Sequence, residues 1–433
     1  MKKKRTRISG RAWAMLIFLF TLTVICNVDK AIIGFASVPL MEELKLDSEQ
    51  WGIVGSSFFL LYSLSAILVG GLADKIGTKK VIAGMSAIWV VVQTATVFVT
   101  SLPYLLITRI ILGAGEGPAY ALAMTAASKW LPKERLSFGL TLVSIGGPLG
   151  IAMTAPILMY LIVTYGWRSA FIATAIVGLI WTVLWLWLTK EAPKNEEKIE
   201  KQEVATPLVP EGKFSSVLLS KNFILLALCG FATYWAFTIG LNWLPNYLGN
   251  ARQLSPEQMT IVVALPWILI TISQITFSTI SDRLYSKTQN VVKSRIFVLG
   301  PVMLAGALCY FLGTLISSNI LAIALLSLGL TFGCITLIMG PAILVDLVSK
   351  SHQGKIQGWF MAISSLGGII GSYGTGWMVN NSESLMSGFH VAFQVCALLL
   401  FVFGGLVWVA VRPEKSTELS TSLLNEEPKV VNE

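Results

Sequence analysis

Charged residues are scarce in this sequence. Asp, Glu, Lys and Arg together make up 13% of its 433 residues, about half the share of ~25% that is typical of soluble proteins. A soluble enzyme with so few charges would aggregate, so the soluble classes of protein are excluded. Hydrophobic residues make up 55% of the chain, roughly 238 residues, close to the ~240 that twelve membrane spans of ~20 residues require.

Histidine and metal-binding patterns are also nearly absent. The only two histidines, His352 and His390, lie at the ends of apolar segments. The five cysteines are odd in number, lie inside apolar segments and lack metal-ligand spacing, so we interpret them as small core residues. We therefore expect no metal, no cofactor and no enzymatic centre. Proton transfer within the membrane then falls to carboxylates.

Long apolar runs fill most of the chain. Runs of this length with few charges are typical of membrane-spanning helices. They predict an all-α integral membrane protein with twelve transmembrane helices in a lipid bilayer. The runs cover approximately residues 13–36, 51–73, 80–101, 103–128, 138–163, 167–189, 222–248, 257–281, 296–316, 319–346, 356–379 and 386–411.

The basic residues cluster in alternate connections between these runs. If the N-terminus is cytosolic, 27 of the 32 Lys and Arg residues lie in the two tails or in connections on the same side. Connections rich in Lys and Arg mark the cytoplasmic side, so we predict that both termini are cytosolic. The net charge of +9 is therefore a topology signal. No connection on that side is long enough for a nucleic-acid-binding domain, so we expect no nucleic-acid partner.

The longest connection on the cytosolic side, residues 190–221, divides the runs into two sets of six. It alternates Lys with Glu and contains three prolines, as polar linkers do. The predicted domains are a basic cytosolic tail (1–12), an N-terminal six-helix bundle (13–189), the cytosolic linker (190–221), a C-terminal six-helix bundle (222–412) and a polar, disordered cytosolic tail (413–433).

A short glycine motif occurs once in each predicted bundle. The string S-x-G-G-x-x-G spans residues 144–150 in the fifth run and residues 365–371 in the eleventh. Small residues at this spacing let helix backbones approach closely in a membrane. We interpret both strings as helix-packing faces, and their equivalent positions indicate a duplicated fold.

The connection after the second run carries a recognisable motif. Residues 70–80 read G-G-L-A-D-K-I-G-T-K-K, which resembles the G-x-L-x-D-R-x-G-R-K loop of the major facilitator superfamily, with Lys75 and Thr78 in place of two arginines. The resemblance implies two pseudo-symmetric six-helix bundles. We predict that Asp74 and Gly77 latch the cytoplasmic face, and that the lysines serve topology alone.

Four charged residues lie inside the predicted spans, all in the first half: Asp29, Lys30, Arg109 and Glu116. A charge at membrane depth costs at least ~2.5–3.5 kcal/mol, so such residues are functional candidates. Arg109 and Glu116 are seven residues apart, which places them on one helix face about 10 Å apart. The structural alternative is two buried ion pairs, one joining Asp29 to Lys30 or Arg109 and the other joining Glu116 to a neighbour.

Glu116 is the strongest functional candidate among the four. The neighbouring Gly113, Gly115, Gly117 and Pro118 open the helix around it, so that water or another helix can reach the carboxylate. A carboxyl group in a poorly hydrated cavity can bind and release a proton near neutral pH. We therefore expect Glu116 to carry a proton, and Lys30 to anchor an anionic substrate.

Further residues resemble the anion:cation symporter family, which includes hexuronate and galactonate importers and sialin. The similarity covers most of residues 13–411 and implies proton-coupled import of an organic anion, commonly a sugar acid, at a bacterial cytoplasmic membrane. It implies proton coupling by Asp29 and Glu116. The residues that carry the similarity are Asp29-Lys30, Tyr62, Arg109, Gly113, Glu116, Gly166-Trp167-Arg168 and Asn242-Trp243-Leu244-Pro245. The predicted substrate-binding residues are Lys30, Tyr62, Arg109, Asn242, Tyr247 and Ser365.

Three departures from the family pattern concern the substrate. Lys30 replaces the usual arginine, which exchanges a bidentate fork for a point charge. Sugar-acid members often have a glutamine where this chain has Gly146-Gly147, and an asparagine where it has Ser365. Fewer amide groups predict a substrate with fewer hydroxyls, such as a simpler or aromatic carboxylate.

Other functions stay open at this point. An organophosphate exchanger of the same superfamily usually needs a basic residue in each half, and the spans of the second half have none away from their ends. A multidrug exporter commonly carries cations, which Lys30 disfavours. A non-transporting membrane sensor would need a signalling domain longer than the linker or tail. The sequence leaves open which anion is carried and whether sodium replaces the proton, and we expect a monomer.

Overall fold

The chain is helical wherever the structure, a computed structural model, describes it. The described residues are 9–131, 135–191, 214–345 and 353–412, and they contain no β-strand. The all-α prediction is confirmed. Of the predicted tails and linker, residues 1–8, 192–213 and 413–433 lie outside the described residues, as do residues 132–134 and 346–352.

We refer to residues 9–191 as the first half and residues 214–412 as the second half. The helices described in the first half are α1 (Gly10–Phe35), α2 (Ser37–Leu44), α3 (Ser48–Ile76), α4 (Thr78–Thr96), α5 (Leu102–Glu116), α6 (Ala119–Trp130), α7 (Leu136–Tyr165) and α8 (Trp167–Leu188).

The second half adds ten α-helices and three π-helical segments to the described chain. The α-helices are α9 (Phe214–Leu218), α10 (Lys221–Thr238), α11 (Leu244–Asn246), α12 (Pro256–Val262), α13 (Leu265–Thr288), α14 (Phe297–Leu315), α15 (Asn319–Gly333), α16 (Thr336–Val345), α17 (Gln353–Asn380) and α18 (Leu385–Ala410). The π-helical segments are Ile239–Trp243, Tyr247–Ala251 and Val292–Ile296.

Every predicted apolar run is mostly helical where the structure describes it. Eight helical stretches among the described residues have the length and mean hydropathy of a membrane span. The fourth run is broken, because α5 ends at Glu116 and α6 begins at Ala119. Pro118 lies in the break, where its missing N–H removes a helical hydrogen bond. Glu116 is therefore held at a helix end inside the bundle.

We name the two ends of α3 after residues close to them: the Trp51 end, where α3 begins, and the Lys79 end, where α3 is followed by α4. The Trp51 end holds the start of α3, where Gly376 of α17 packs on the Ser48 carbonyl. The Lys79 end holds the start of α4, where the indole of Trp185 donates to the Lys79 carbonyl at 3.1 Å.

The repeated glycine motif packs in the same way in both halves. A Cβ on Gly146 of α7 would crowd the Phe20 carbonyl of α1, and a Cβ on Gly367 of α17 would collide with the Phe231 carbonyl of α10. The helix-packing interpretation is confirmed for both strings. The two packings join equivalent pairs of helices, as duplicated halves require.

The two halves are packed tightly at the Trp51 end. Gly34 of α1 lies directly against the Leu241 carbonyl, where a Cβ would collide. Among the described residues, five hydrogen bonds join the halves between this end and the middle of the helices: Trp51 to Asn242, Ser56 to Ile369, Ser63 with Ser365, Asn246 to Met41, and Tyr373 to Glu49. The molecule is therefore closed at its Trp51 end.

Candidate functional site

Close packing of α5 on α3 positions the buried charges. Gly113 and Gly117 lie against the backbone carbonyls of Phe58 and Tyr62, where any Cβ would collide. Small residues at this spacing permit such backbone contact. Glu116 directly precedes Gly117, and its buried carboxylate contacts Cys26 and Lys30 of α1.

Lys30 and Glu116 form a buried ion pair. Lys30 Nζ lies 3.4 Å from Glu116 Oε2, and the two side chains are 8% and 0% exposed. The Cys26 thiol lies between them, accepting from Lys30 Nζ at 3.3 Å and donating to Glu116 Oε2 at 3.4 Å. Of the buried ion pairs in the structural alternative, the one joining Glu116 to a neighbour is therefore present, and the one joining Asp29 to Lys30 is not.

Asp29 has an uncharged partner. Its carboxyl oxygen Oδ1 accepts a hydrogen bond of 2.7 Å from Nε2 of Gln93 on α4, and both residues are buried. Arg109 donates through Nη2 to the Thr96 hydroxyl at 3.3 Å, and its guanidinium lies 5.9 Å from the Phe171 ring centroid. The alternative pairing of Asp29 with Arg109 is therefore also absent.

A narrow cavity separates the halves next to Lys30. Its empty space, including the part open to solvent, is about 240 Å³. The lining residues are Lys30, Ile33, Val54, Gly55, Phe58, Phe59, Arg109, Leu241 and Asn242.

Three of the predicted substrate-binding residues line this cavity, and a fourth adjoins it. Lys30, Arg109 and Asn242 face it directly. Tyr62 is a neighbour of Lys30, whose ammonium group lies 5.2 Å from the tyrosine ring centroid. Asn242 lies in a π-helical segment and also donates to the Ser372 hydroxyl at 3.4 Å.

The remaining two predicted substrate-binding residues lie elsewhere. The Tyr247 hydroxyl accepts a 2.6 Å hydrogen bond from Arg252 Nε, and its ring packs on Phe389 and Phe393. Ser365 contacts the Ser63 hydroxyl across the two halves. Neither residue lines the cavity.

Arg252, a basic residue that follows the seventh apolar run, is buried in the second half. It is 7% exposed. Its partners are neutral oxygens of Tyr247, Ser317, Asn319 and Ile316.

Sequence reasoning missed Cys26 and Gln93. Cys26 precedes Lys30 by one helical turn, and this spacing is the available signal for their contact. Gln93 is the sole amide side chain of the third apolar run, but its partner depends on how α4 is rotated against α1. Among the described residues, no cluster of His, Cys, Asp or Glu has the makings of a metal site.

The predicted cytoplasmic latch is described only in part. Gly77 ends α3 with φ of 95°, a conformation that favours glycine. Next to it, the Glu191 carboxylate accepts from the backbone N–H groups of Thr78 and Lys79, both at 2.9 Å. The side chain of Asp74 lies outside the described residues. The latch role of Asp74 and Gly77 stays a prediction.

Comparison with known proteins finds transporters. The sequence profile of the Major Facilitator Superfamily matches residues 18–340 and 332–431. The chain is 29% identical over 397 residues to the hexuronate transporter of Bacillus subtilis, covering 90% of this chain and 94% of that protein. It is 29% identical over 398 residues to a probable sulfoacetate transporter of Cupriavidus necator, covering 90% and 91%.

Solved structures share the fold at low sequence identity. A bacterial homologue of the human lysosomal transporter Spinster, solved inward-facing and unoccupied, superimposes with a TM-score of 0.77 at 15% identity, covering 94% of this chain and 98% of that one. A D-xylose-proton symporter gives a TM-score of 0.76 at 15% identity, covering 94% and 99%.

Proposed function

This chain belongs to the Major Facilitator Superfamily, and on that premise we propose that it is a secondary active transporter that imports a small organic anion together with protons. The observation that carries the proposal is the buried ion pair of Lys30 and Glu116 beside a cavity between the two halves. A buried charge pair in a membrane protein is costly to maintain, and it offers a cation for the anion and a carboxylate for the proton.

The proposed topology has twelve spans in two bundles, with both termini and the Lys79 end in the cytosol of a cell-membrane protein. It is supported by the basic residues near this end, as the positive-inside rule requires. Those among the described residues are Arg11, Lys75, Lys79, Lys80, Lys129, Arg135, Lys190, Lys221, Arg283, Lys287, Lys293, Arg295, Lys355 and Arg412. The Trp51 end then faces outward, and the closed conformation is the one in which substrate exchanges with the cytosol.

Competition for Lys30 couples the proton to the anion. While Glu116 is ionised, it holds Lys30 at 3.4 Å. A proton that neutralises Glu116 leaves the buried lysine without a counter-charge, which is unfavourable by several kcal/mol. A carboxylate substrate supplies that counter-charge, so the anion binds when the proton does. In the cytosol, loss of the proton lets Glu116 recapture Lys30 and release the anion.

The cavity walls define the chemistry of the substrate. Lys30 and Arg109 place two cations at one side. Phe58 and Phe59 supply apolar surface, and the Asn242 amide supplies a hydrogen-bonding group. A small carboxylate with a short apolar or hydroxylated body matches this combination. The hexuronate, sulfoacetate and ascorbate transporters among the relatives are in keeping with it.

The buried cation of the second half does not favour an organophosphate exchanger. Arg252 is bonded to Tyr247 and to the backbone carbonyls of Ile316 and Ser317. It is not among the residues that line the cavity. The charges that a substrate meets at the cavity therefore come from the first half.

Uptake into proteoliposomes with an imposed proton gradient tests the proposal. We expect accumulation of a labelled carboxylate, with competition by hexuronates, sulfoacetate, ascorbate and an aromatic carboxylate ranking the substrates. Glu116→Gln should exchange internal for external substrate but lose accumulation driven by the gradient. The matched control is Glu257→Gln, which removes an exposed carboxylate on α12 and should behave as wild type. Gradient-driven accumulation by Glu116→Gln at the wild-type level contradicts the proposal, and a sodium gradient replacing the proton gradient would reassign the coupling ion.

A further inference from the structure

The pairing of Asp29 with Gln93 leaves one polar atom unexplained. Gln93 is 1% exposed and Asp29 is 2% exposed. Gln93 donates through Nε2 to Asp29 Oδ1 at 2.7 Å. The carbonyl oxygen of the same amide, Gln93 Oε1, is buried and accepts no hydrogen bond. A buried acceptor without a donor is unfavourable, so it calls for an explanation.

The protonation state of Asp29 supplies that explanation. An ionised carboxylate only accepts hydrogen bonds, so it can satisfy the amide N–H but not the amide carbonyl. A neutral carboxyl group has an O–H that donates. The terminal torsions of Asp and Gln side chains are broad, so both groups can face each other without moving the backbone. Each side chain then donates once and accepts once.

We propose that Asp29 carries a proton in this closed conformation, and that Gln93 is the positioning residue that holds the neutral carboxyl group through reciprocal hydrogen bonds. The inference rests on the proposed function, because it divides the proton-carrying role between two carboxylates. Asp29 keeps its proton here, while Glu116, paired with Lys30, is ionised.

The surrounding charges favour this division. The charged groups that act on Asp29 are Glu116, Arg109 and Lys30. No cation among the described residues lies within salt-bridge distance of Asp29, since Lys30 is engaged by Glu116 and Arg109 donates to Thr96. An ionised Asp29 would therefore be a buried charge with a single amide donor, which is strongly unfavourable.

A neutral Asp29 also changes the net charge at the cavity. With Asp29 protonated, Lys30 and Arg109 carry two positive charges against the single negative charge of Glu116. The cluster then has one uncompensated positive charge, which attracts an organic anion toward the cavity. With Asp29 ionised the cluster would be neutral and would attract an anion less strongly. The Asp29 proton therefore favours anion binding in every cycle, and the Glu116 proton is the one that is transported with each anion.

Two other buried donors compete to explain the unpartnered oxygen. Trp89 Nε1, one turn before Gln93 on α4, and Arg109 Nε both have no hydrogen-bond partner. In this structure neither of them bonds to Gln93 Oε1. Trp89→Phe removes the indole donor while keeping an aromatic ring, so it separates the tryptophan explanation from the Asp29 explanation.

Infrared difference spectroscopy of the purified, lipid-reconstituted protein at neutral pH tests the inference without substrate or gradient. We expect a carbonyl band of a protonated carboxyl group that disappears in Asp29→Asn and persists in Glu116→Gln. In Gln93→Met the band should move to higher frequency, because the Asp29 carboxyl group loses both hydrogen bonds. Gln93→Asn should move the band in the same direction, because its side chain is one methylene shorter and its amide does not reach Asp29. Trp89→Phe should leave the band in place.

The outcomes separate this inference from the proposed function. Absence of any band sensitive to Asp29→Asn means that Asp29 is ionised and overturns the inference. If Asp29→Asn removes the band but Gln93→Met leaves its frequency unchanged, Gln93 does not hold the carboxyl group, and the inference is also overturned. Either result can occur while wild-type uptake still follows the proton gradient. Uptake that ignores the gradient, with the band present and shifted as expected, contradicts the proposed function alone.

Discussion

The Lys30 ammonium and the Glu116 carboxylate lie 3.4 Å apart although different helices carry them, and less than a tenth of either side chain is exposed. The Cys26 thiol contacts both groups. Gly113 and Gly117 let α5 approach the backbone of α3 at Phe58 and Tyr62, and the Tyr62 ring lies next to the Lys30 ammonium group. A pair of this kind contributes little net stability by itself, but removing one partner leaves an uncompensated buried charge.

Lys30→Ala should therefore lower the free energy of unfolding by more than the loss of the lysine side chain's packing contacts would. The ionised Glu116 would lose its cation, and breaking a buried pair in this way typically costs about 3–5 kcal/mol. Thermal unfolding of the detergent-solubilised protein measures the change. Lys30→Ala with Glu116→Gln removes both charges and should recover most of the loss, while still failing to accumulate substrate. A single variant as stable as wild type would show that the pair is not ionised.

Gly117→Ala should weaken the packing that positions the site. Its Cβ would collide with the Tyr62 carbonyl of α3, a backbone atom that has no rotamer to yield. Overpacking of this kind costs about 1–3 kcal/mol and should lower both the unfolding temperature and substrate uptake. Gly84→Ala is the matched control, because nothing lies within 4 Å of a Cβ at that helical position. The prediction fails if the two variants are equally stable.

Apolar patterning predicted the helices well because each run must bury its own backbone polar groups in the membrane. The gathering of Lys30 and Glu116 at one site was also predictable, since buried charges in one bundle need one another. The pairing of Gln93 with Asp29 was not predictable, because a single amide in an apolar run does not indicate which neighbour it faces.

Tyr247 shows why facing positions in the second half could not be predicted. A regular helix brings residues three and four apart onto one face. The π-helical segment Ile239–Trp243 carries an extra residue per turn, so positions beyond it rotate away from the face that a regular count assigns. Asn242 still lines the cavity, whereas Tyr247 turns toward Arg252 and Phe389. Hydropathy does not reveal such a segment, because the residues on both sides of it are apolar.

A disulfide between the halves should lock the transporter. Ser63 and Ser365 have hydroxyl groups in direct contact at the middle of α3 and α17, so cysteine sulfurs at these two positions would lie close together. We expect oxidation of the Ser63→Cys, Ser365→Cys double variant to reduce uptake severalfold and a reductant to restore it.

The single cysteine variants control for the five native cysteines, and oxidant should leave their uptake unchanged. A double variant that cross-links, as judged by protection of both thiols from alkylation, yet transports at the wild-type rate would contradict separation of the halves at this contact.

The ion pair of Glu43 and Arg168, at the Trp51 end, should make the free energy of unfolding depend on pH. Arg168 donates to both Glu43 oxygens, through Nη1 at 2.8 Å and Nη2 at 2.5 Å, and the Trp167 indole donates at 2.7 Å. The hydrogen bonds from Arg168, and then the one from Trp167, lower the pKa of Glu43. The two side chains are 38% and 41% exposed, so the pair contributes about 1 kcal/mol or less at neutral pH.

Glu43→Gln should lower the unfolding temperature at neutral pH, and the difference from wild type should vanish in acid. Because the pKa of Glu43 is lower in the folded protein than in the unfolded chain, the ion pair stabilises the fold above the unfolded-state pKa. That stabilisation is lost as pH falls through the folded-state value. Arg168→Lys keeps the charge but loses the bidentate contact, so its unfolding temperature at neutral pH should lie between those of wild type and Glu43→Gln. A difference between wild type and Glu43→Gln that stays constant from neutral to acidic pH would mean that the carboxylate charge contributes nothing.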